Sequence, residues 1–226
     1  MYVLHIANKN YSSWSLRPWV LLHALGIPFE ERLLPFPPDG DWSAFRALSP
    51  TGQVPLLEDA GTVVWDSLAI VEYLAERHSG VWPEDAAARA WARCAAAEMH
   101  AGFQALRGTC PMNCGIRARF ERLPPALAAD VARVEALWND GLARFGGPFL
   151  AGAAFTAADA FFAPVAFRVQ SYALPLRGPA ADYAQRLLAL PAMRDWYRAA
   201  LAESWRERGH EAAVAAAVGE VEDLRG

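Results

Sequence analysis

Two short stretches of this sequence hold side chains able to handle a negative charge. Residues 10–18, Asn-Tyr-Ser-Ser-Trp-Ser-Leu-Arg-Pro, set Ser12, Ser13 and Ser15 where a helical pattern begins. Hydroxyls there either cap the helix or, with the helix dipole behind them, stabilise an anion. Asp66 and Ser67 open a second helical pattern and offer the same choice. Between them, Gln53-Val54-Pro55 precedes an apolar run, where Pro is tolerated as the first strand residue. Taken singly, each stretch has a purely structural role as its simplest explanation.

Thiols and metals offer less. Cys94, Cys110 and Cys114 are an odd, sparse set, read as free thiols of a reducing compartment. Pro111 interrupts any helix that would pair Cys110 with Cys114, and no histidine sits at zinc-ligand spacing, so no metal site is expected.

The positioning elements follow from periodicity. Residues 2–6 form a short apolar strand, and a helical pattern runs from near Ser15 to a stop at Gly26. Residues 29–34 give a second strand, followed by a Pro- and Gly-rich loop at 35–40 that is expected to be mobile. Residues 54–59 and 62–65 flank Ala60-Gly61 as a hairpin, and residues 66–77 form a helix with Leu68, Val71 and Leu74 on one stripe. Beyond a linker at 79–86, alanine-rich amphipathic segments dominate. The predicted fold is therefore an α/β domain over 1–78 followed by an all-helical domain over 87–226. Inside the second domain, Thr156 and Asp159 make a capping box before the apolar run 160–169, which contains Pro164. The tail from about 209 lacks an apolar stripe and reads as a frayed helix or mobile end.

Composition narrows the partners. The 226 residues carry 54% hydrophobic and 20% charged side chains, enough for sizeable cores. A net charge of -4 without long runs of one sign argues against nucleic acid and for small molecules. The apolar N-terminus is too short for a signal peptide or membrane span, which gives an expected cytoplasmic location.

In this order, the motifs resemble the glutathione S-transferase superfamily, a thioredoxin-like domain followed by a helical one, over roughly residues 1–205. Ser12-Ser13-Trp14-Ser15-Leu16-Arg17 is similar to the Ser-Ser-Cys-Ser-x-Arg motif of the zeta class, which includes maleylacetoacetate isomerase; Trp14 stands in place of its cysteine. The resemblance implies glutathione as co-substrate, with Ser12 activating its thiol. It also implies glutathione contacts from Ser13, Trp14, Ser15, Arg17, Gln53, Val54, cis-Pro55, Asp66, Ser67 and Gln104. Val54 would pair with the cysteinyl backbone, and Asp66-Ser67 would hold the γ-glutamyl end. His100 and Phe103 on a helix spanning 98–107, with Met112 following it, are candidates for a second-substrate pocket, and homodimerisation is expected through 68–73 and 90–99. Trp19, Trp65 and Trp91 read as core or interface.

The chemistry is feasible. A thiol of pKa ~8.5 is mostly protonated near neutrality, and lowering it by ~2 units needs about 2.7 kcal/mol. A hydrogen bond to a charged group supplies roughly 1.5 to 3 kcal/mol, and a helix dipole ~0.3 to 1 more. The expected function is thiolate addition to a largely apolar electrophile, with glutathione-dependent cis-trans isomerisation and non-catalytic glutathione binding as alternatives.

Overall fold

A computed structural model describes residues 1–37 and 40–225. Pro38 and Asp39, within the loop expected to be mobile, lie outside the described residues. The chain begins with β1 (Tyr2–Ile6), α1 (Ser13–Ala24), β2 (Phe29–Leu33), α2 (Ser43–Leu48), β3 (Leu56–Asp59), β4 (Thr62–Trp65) and α3 (Ser67–Ala75). The strands form one sheet in the order β2-β1-β3-β4, with β1 and β2 parallel and the other pairs antiparallel. Leu4 and Ile6 of β1 and Leu56 and Leu57 of β3 are fully buried, as expected of central strands. β2 lies at the edge and exposes Glu30, Glu31 and Arg32, charges that discourage further strand pairing. α1 buries Leu16, Val20, Leu21 and Leu22, and ends before Gly26, whose φ of +65 suits glycine.

The remaining elements are α4 (Ala86–Ala101), α5 (Gln104–Thr109), β5 (Ile116–Ala118), α6 (Pro125–Phe145), α7 (Ala157–Tyr172), α8 (Gly178–Ala189), α9 (Pro191–Ala202), α10 (Arg208–Ala217) and β6 (Val221–Asp223). α7 is their centre: 14 of its 16 residues are buried, the signature of a helix enclosed on every side. It packs against both α1 and α4, so it couples the two halves of the chain. Its start is fixed by the predicted capping box. The fully buried Asp159 accepts from the Leu150 and Thr156 N–H groups at 3.0 and 2.9 Å and from the Tyr183 hydroxyl at 2.7 Å.

Three features depart from the sequence expectations. α2 was not anticipated, because a single turn and a half around Phe45 is too short to show a period. The helix expected across 98–107 breaks at Gly102, where a side chain would meet the Glu98 carbonyl at 2.8 Å, and at Phe103, which adopts φ +56. The tail is neither frayed nor loose. It forms α10 and then β6, which pairs antiparallel with β5, while the Leu224 N–H donates to the Gly115 carbonyl at 2.8 Å. Arg225 lies so close over Gly115 that a Cβ there would meet its side chain at 2.4 Å. Charge pairs, with only Val214 and Val218 buried in the core, hold this segment, which is why composition hid it.

Candidate active site

The N-terminal ends of α1 and α3 and the loop before β3 meet at one cavity of about 560 Å³. Ser12 is the N-cap of α1, its Oγ accepting from the Ser15 N–H at 3.4 Å. The Ser12 hydroxyl donates to Ser15 Oγ at 2.7 Å, and Ser15 Oγ also accepts from the Ala7 N–H at 3.2 Å. Ser12, Ser13 and Trp14 line the cavity, whereas Ser15 is fully buried behind them.

The loop carrying these serines is tied at both ends. The Ser12 N–H donates to the Asn8 carbonyl at 2.8 Å, while Asn10 bonds Asn113 and the Gly115 N–H, each at 2.8 Å. Through Asn10, the C-terminal half fixes the height of the Ser12 hydroxyl above the sheet.

Across the cavity, the Val54–Pro55 peptide bond is cis, and Gln53, Val54 and Pro55 all form wall. Val54 lies beyond Leu56, the last residue of β3 paired to β1. Asp66 caps α3, its Oδ1 accepting from the Leu68 N–H at 2.8 Å and the Ala69 N–H at 3.4 Å. Its φ of +73 is sparsely populated for a residue with a side chain, and such strain of about 1–3 kcal/mol persists where surrounding bonds enforce it. Ser67, buried at the first position of α3, presents its Oγ to the cavity and accepts from Arg17 Nη1 at 3.4 Å.

Arg17 does not reach the cavity. It is 2% exposed, with Nε lacking any partner among the described residues, and its guanidinium sits 4.1 Å from the Trp14 ring and 4.7 Å from the Phe161 ring. Burial, then the neighbouring Arg107 and Arg168, disfavours its charged form. Trp14 is thus clamped between cations, with Arg107 5.1 Å away on its own approach to the ring.

These elements match known proteins. A family model for the glutathione S-transferase N-terminal domain matches residues 11–77, and one for the glutathione S-transferase C-terminal domain matches residues 84–199. The chain belongs to the glutathione S-transferase family. The glutathione S-transferase-like protein OpS6 of Beauveria bassiana (strain ARSEF 2860) is 28% identical over 204 residues, covering 85% of this chain and 89% of that protein. A glutathione transferase homologue from Burkholderia GL BGR1, solved with bound glutathione, aligns with TM-score 0.66 at 23% identity over 87% of this chain and 96% of that one. The theta class glutathione S-transferase from Xanthomonas axonopodis pv. citri, with glutathione bound, gives 0.63 at 23% identity over 87% and 96%. At such identities the two structures speak for the fold.

In this glutathione S-transferase, three further residues placed in the pocket by sequence, besides Ser15 and Arg17, stand outside its lining. His100 packs edge-on to Trp14 at 5.3 Å and pairs with Asp66 at 3.4 Å, so it supports the wall instead of forming it. Burial lowers its pKa, against the raising effect of Asp66. The helix break at Gly102 turns Phe103 into the core and Gln104 to the surface, where Gln104 Nε2 donates to the Ala101 carbonyl at 3.0 Å. Met112 does line the cavity. Trp65, read as core or interface, is 44% exposed and lies on the cavity wall.

Sequence reasoning missed Tyr11, Arg107, Arg168 and His210, all of which line the cavity. Arg168 left a usable signal, a lone charge within the apolar run that becomes α7. His210 left none, because it arrives from the tail, stacking on Phe36 at 6.0 Å. Tyr11 is held by that same tail: its hydroxyl donates to Glu211 at 2.5 Å and accepts from Arg225 at 2.8 Å. Burial and the bond to Glu211 push its pKa up to about 12, so it keeps its proton.

Proposed function

We propose that this transferase ionises the glutathione thiol through Ser12 and delivers it to an electrophilic carbon. The observation that carries this reading is a cavity-lining hydroxyl at the α1 N-terminus that donates its proton to another hydroxyl, Ser15, and not to a carboxylate or carbonyl. Hydroxyl protons rotate, so the pair can reverse: Ser15 then donates to Ser12 Oγ, and Ser12 donates to the sulfur. Tyr11 is the competing hydroxyl, but its proton is engaged by Glu211.

Glutathione would lie extended. Its γ-glutamyl carboxylate would meet Ser67 and the N-terminus of α3, with the Arg17 cation behind Ser67, and its amino group would meet Asp66. Gln53 and the Val54 backbone would flank the cysteinyl portion, while Ser13 and Trp14 bound the opposite side. Ser15 and Arg17 act from behind this surface and position the groups that touch the ligand. Met112 belongs to the second-substrate wall. The two units are proposed as residues 1–78 and 87–226.

Transfer is favoured over cis-trans isomerisation, since the zeta-class resemblance has a cysteine where this chain wedges Trp14 between Arg17 and Arg107. Titrating the thiol of bound glutathione by its thiolate absorbance, in wild type and Ser12→Ala, tests the reading and separates it from non-catalytic binding. We also infer a homodimer through α3 and α4, to be checked as a two-chain mass by light scattering, and a cytoplasmic location. No helix among the described residues is long and apolar enough to cross a membrane.

A further inference from the structure

Several arginines elsewhere on this chain pair with carboxylates, as Arg93 does with Glu72, Arg133 with Glu98 and Arg225 with Glu211 and Asp223, while others at the surface, such as Arg186, bond only carbonyls. The two that line the cavity pair with none among the described residues. Arg168, on α7, is only 4% exposed. Its Nε donates to the Cys110 carbonyl at 2.7 Å and its Nη1 to the Pro164 carbonyl at 3.2 Å, which fixes the guanidinium plane and leaves Nη2 without an acceptor among the described residues. Arg107, on α5, gives Nη1 and Nη2 to the His100 carbonyl at 3.2 and 3.3 Å.

The nearby acids are engaged elsewhere. Asp130 accepts the Leu106 N–H at 2.9 Å and its charge acts on Arg107 without forming an ion pair, Asp66 caps α3, Glu207 holds His210, and Glu211 holds Tyr11 and Arg225. Carbonyl oxygens supply hydrogen bonds but no countercharge. A buried guanidinium stays protonated at neutral pH, and leaving one without an anion is costly. Burial lowers the pKa of Arg168 to about 10, as expected where a neutralising charge is missing. The buried Arg17 adds a third cation behind Trp14.

We propose that the second-substrate side of this cavity takes an electrophile bearing a carboxylate, held by Arg168 and Arg107. This rests on the thiolate reading above and changes the expected substrate from a largely apolar molecule to an amphipathic anion. Pro111, Met112 and Trp14 offer contact to its carbon body, while the two guanidiniums receive the charge. The same cations would serve a carboxylate of glutathione equally well, so the experiment separates the two sources.

The probes are a chlorodinitrobenzoate and its methyl ester, which share one reacting carbon. In both, the thiolate sulfur forms the C–S bond and chloride leaves with the C–Cl electron pair. Loss of a charge-assisted hydrogen bond corresponds to about a ten- to a hundredfold change. Wild type is expected to prefer the acid over the ester in kcat/KM by at least about tenfold. Arg107→Gln and Arg168→Gln are expected to cut that ratio by about ten- to a hundredfold, with Arg168→Lys retaining part of it. Arg107 is partly exposed, so its variant tests the proposal even where Arg168→Gln does not fold.

Calorimetry with a chloride-free dinitrobenzoate and S-methylglutathione reads the same site without chemistry, so a failure of thiol activation would not mask it. Equal use of acid and ester by wild type would overturn the proposal. So would variants that raise the KM for glutathione while leaving the acid-to-ester ratio intact, since the cations would then belong to glutathione.

Discussion

The Ser12 hydroxyl donates to Ser15 Oγ across 2.7 Å, so the group that faces the cavity is oriented by one that does not. Ser15 is anchored in turn by the Ala7 N–H at 3.2 Å, at the end of β1. Ser15→Ala is expected to lower kcat/KM for thiol transfer by about fivefold, the loss of one hydrogen bond of roughly 1 kcal/mol. It would also shift the alkaline-side rise of the pH–rate profile upward, while Ser15→Thr, which keeps the hydroxyl, restores both. A profile unchanged in Ser15→Ala would remove Ser15 from the chemistry.

Ser67→Ala removes the hydroxyl between Arg17 and the cavity. Glutathione affinity measured by calorimetry is expected to fall by about ten- to a hundredfold, the range for a hydrogen bond to a charged group. The fold should persist, because Asp66 and not Ser67 caps α3. An unchanged affinity would displace the γ-glutamyl end from this helix.

Asp159→Ala makes the opposite contrast. Its carboxylate satisfies two backbone N–H groups and the Tyr183 hydroxyl in a site with no water access. Urea unfolding is expected to show a loss of about 3–5 kcal/mol, as when one partner of a buried charged network is removed. The glutathione affinity of the folded fraction should not move.

How much of this was legible in the sequence depended on how local each signal was. The strand–helix–strand start, the hairpin around Gly61 and the cap of α7 rest on short-range patterns, and they appear where periodicity put them. Ser12, Val54 and Ser67, each at an element boundary that motif spacing marks, line one cavity. His100, Phe103 and Gln104 were misplaced because one glycine and one residue at positive φ re-aim a helix, and neither disturbs the amphipathic pattern. Arg168 and the tail were missed for a different reason. Their partners are a carbonyl 58 residues away and a tyrosine 214 residues away, relationships that only the tertiary fold creates.

The tail supplies a pH dependence. Burial alone would raise Glu211, but the bonds from Arg225 and Tyr11 win and hold its carboxyl below the usual range; Arg225 likewise holds Asp223 low. Groups with depressed folded pKa values stabilise above their unfolded pKa of ~4, and that contribution is lost as pH falls through the folded value. Glu203, raised by burial, acts in the opposite sense. Hydrogen exchange of α10 and β6, normalised to α7, is therefore expected to lose protection below about pH 4. Glu211→Gln should show the loss already at neutral pH. Equal protection in wild type and variant would mean that Glu211 does not dock the tail.

The central claim concerns a proton on sulfur, and the thiolate absorbance of bound glutathione measures it directly. In wild type, the thiol is expected to titrate about 1–2 units below its ordinary ~8.5, and in Ser12→Ala to return toward that value with glutathione still bound. An unshifted pKa in wild type, or a depressed pKa that survives Ser12→Ala, would contradict activation by Ser12.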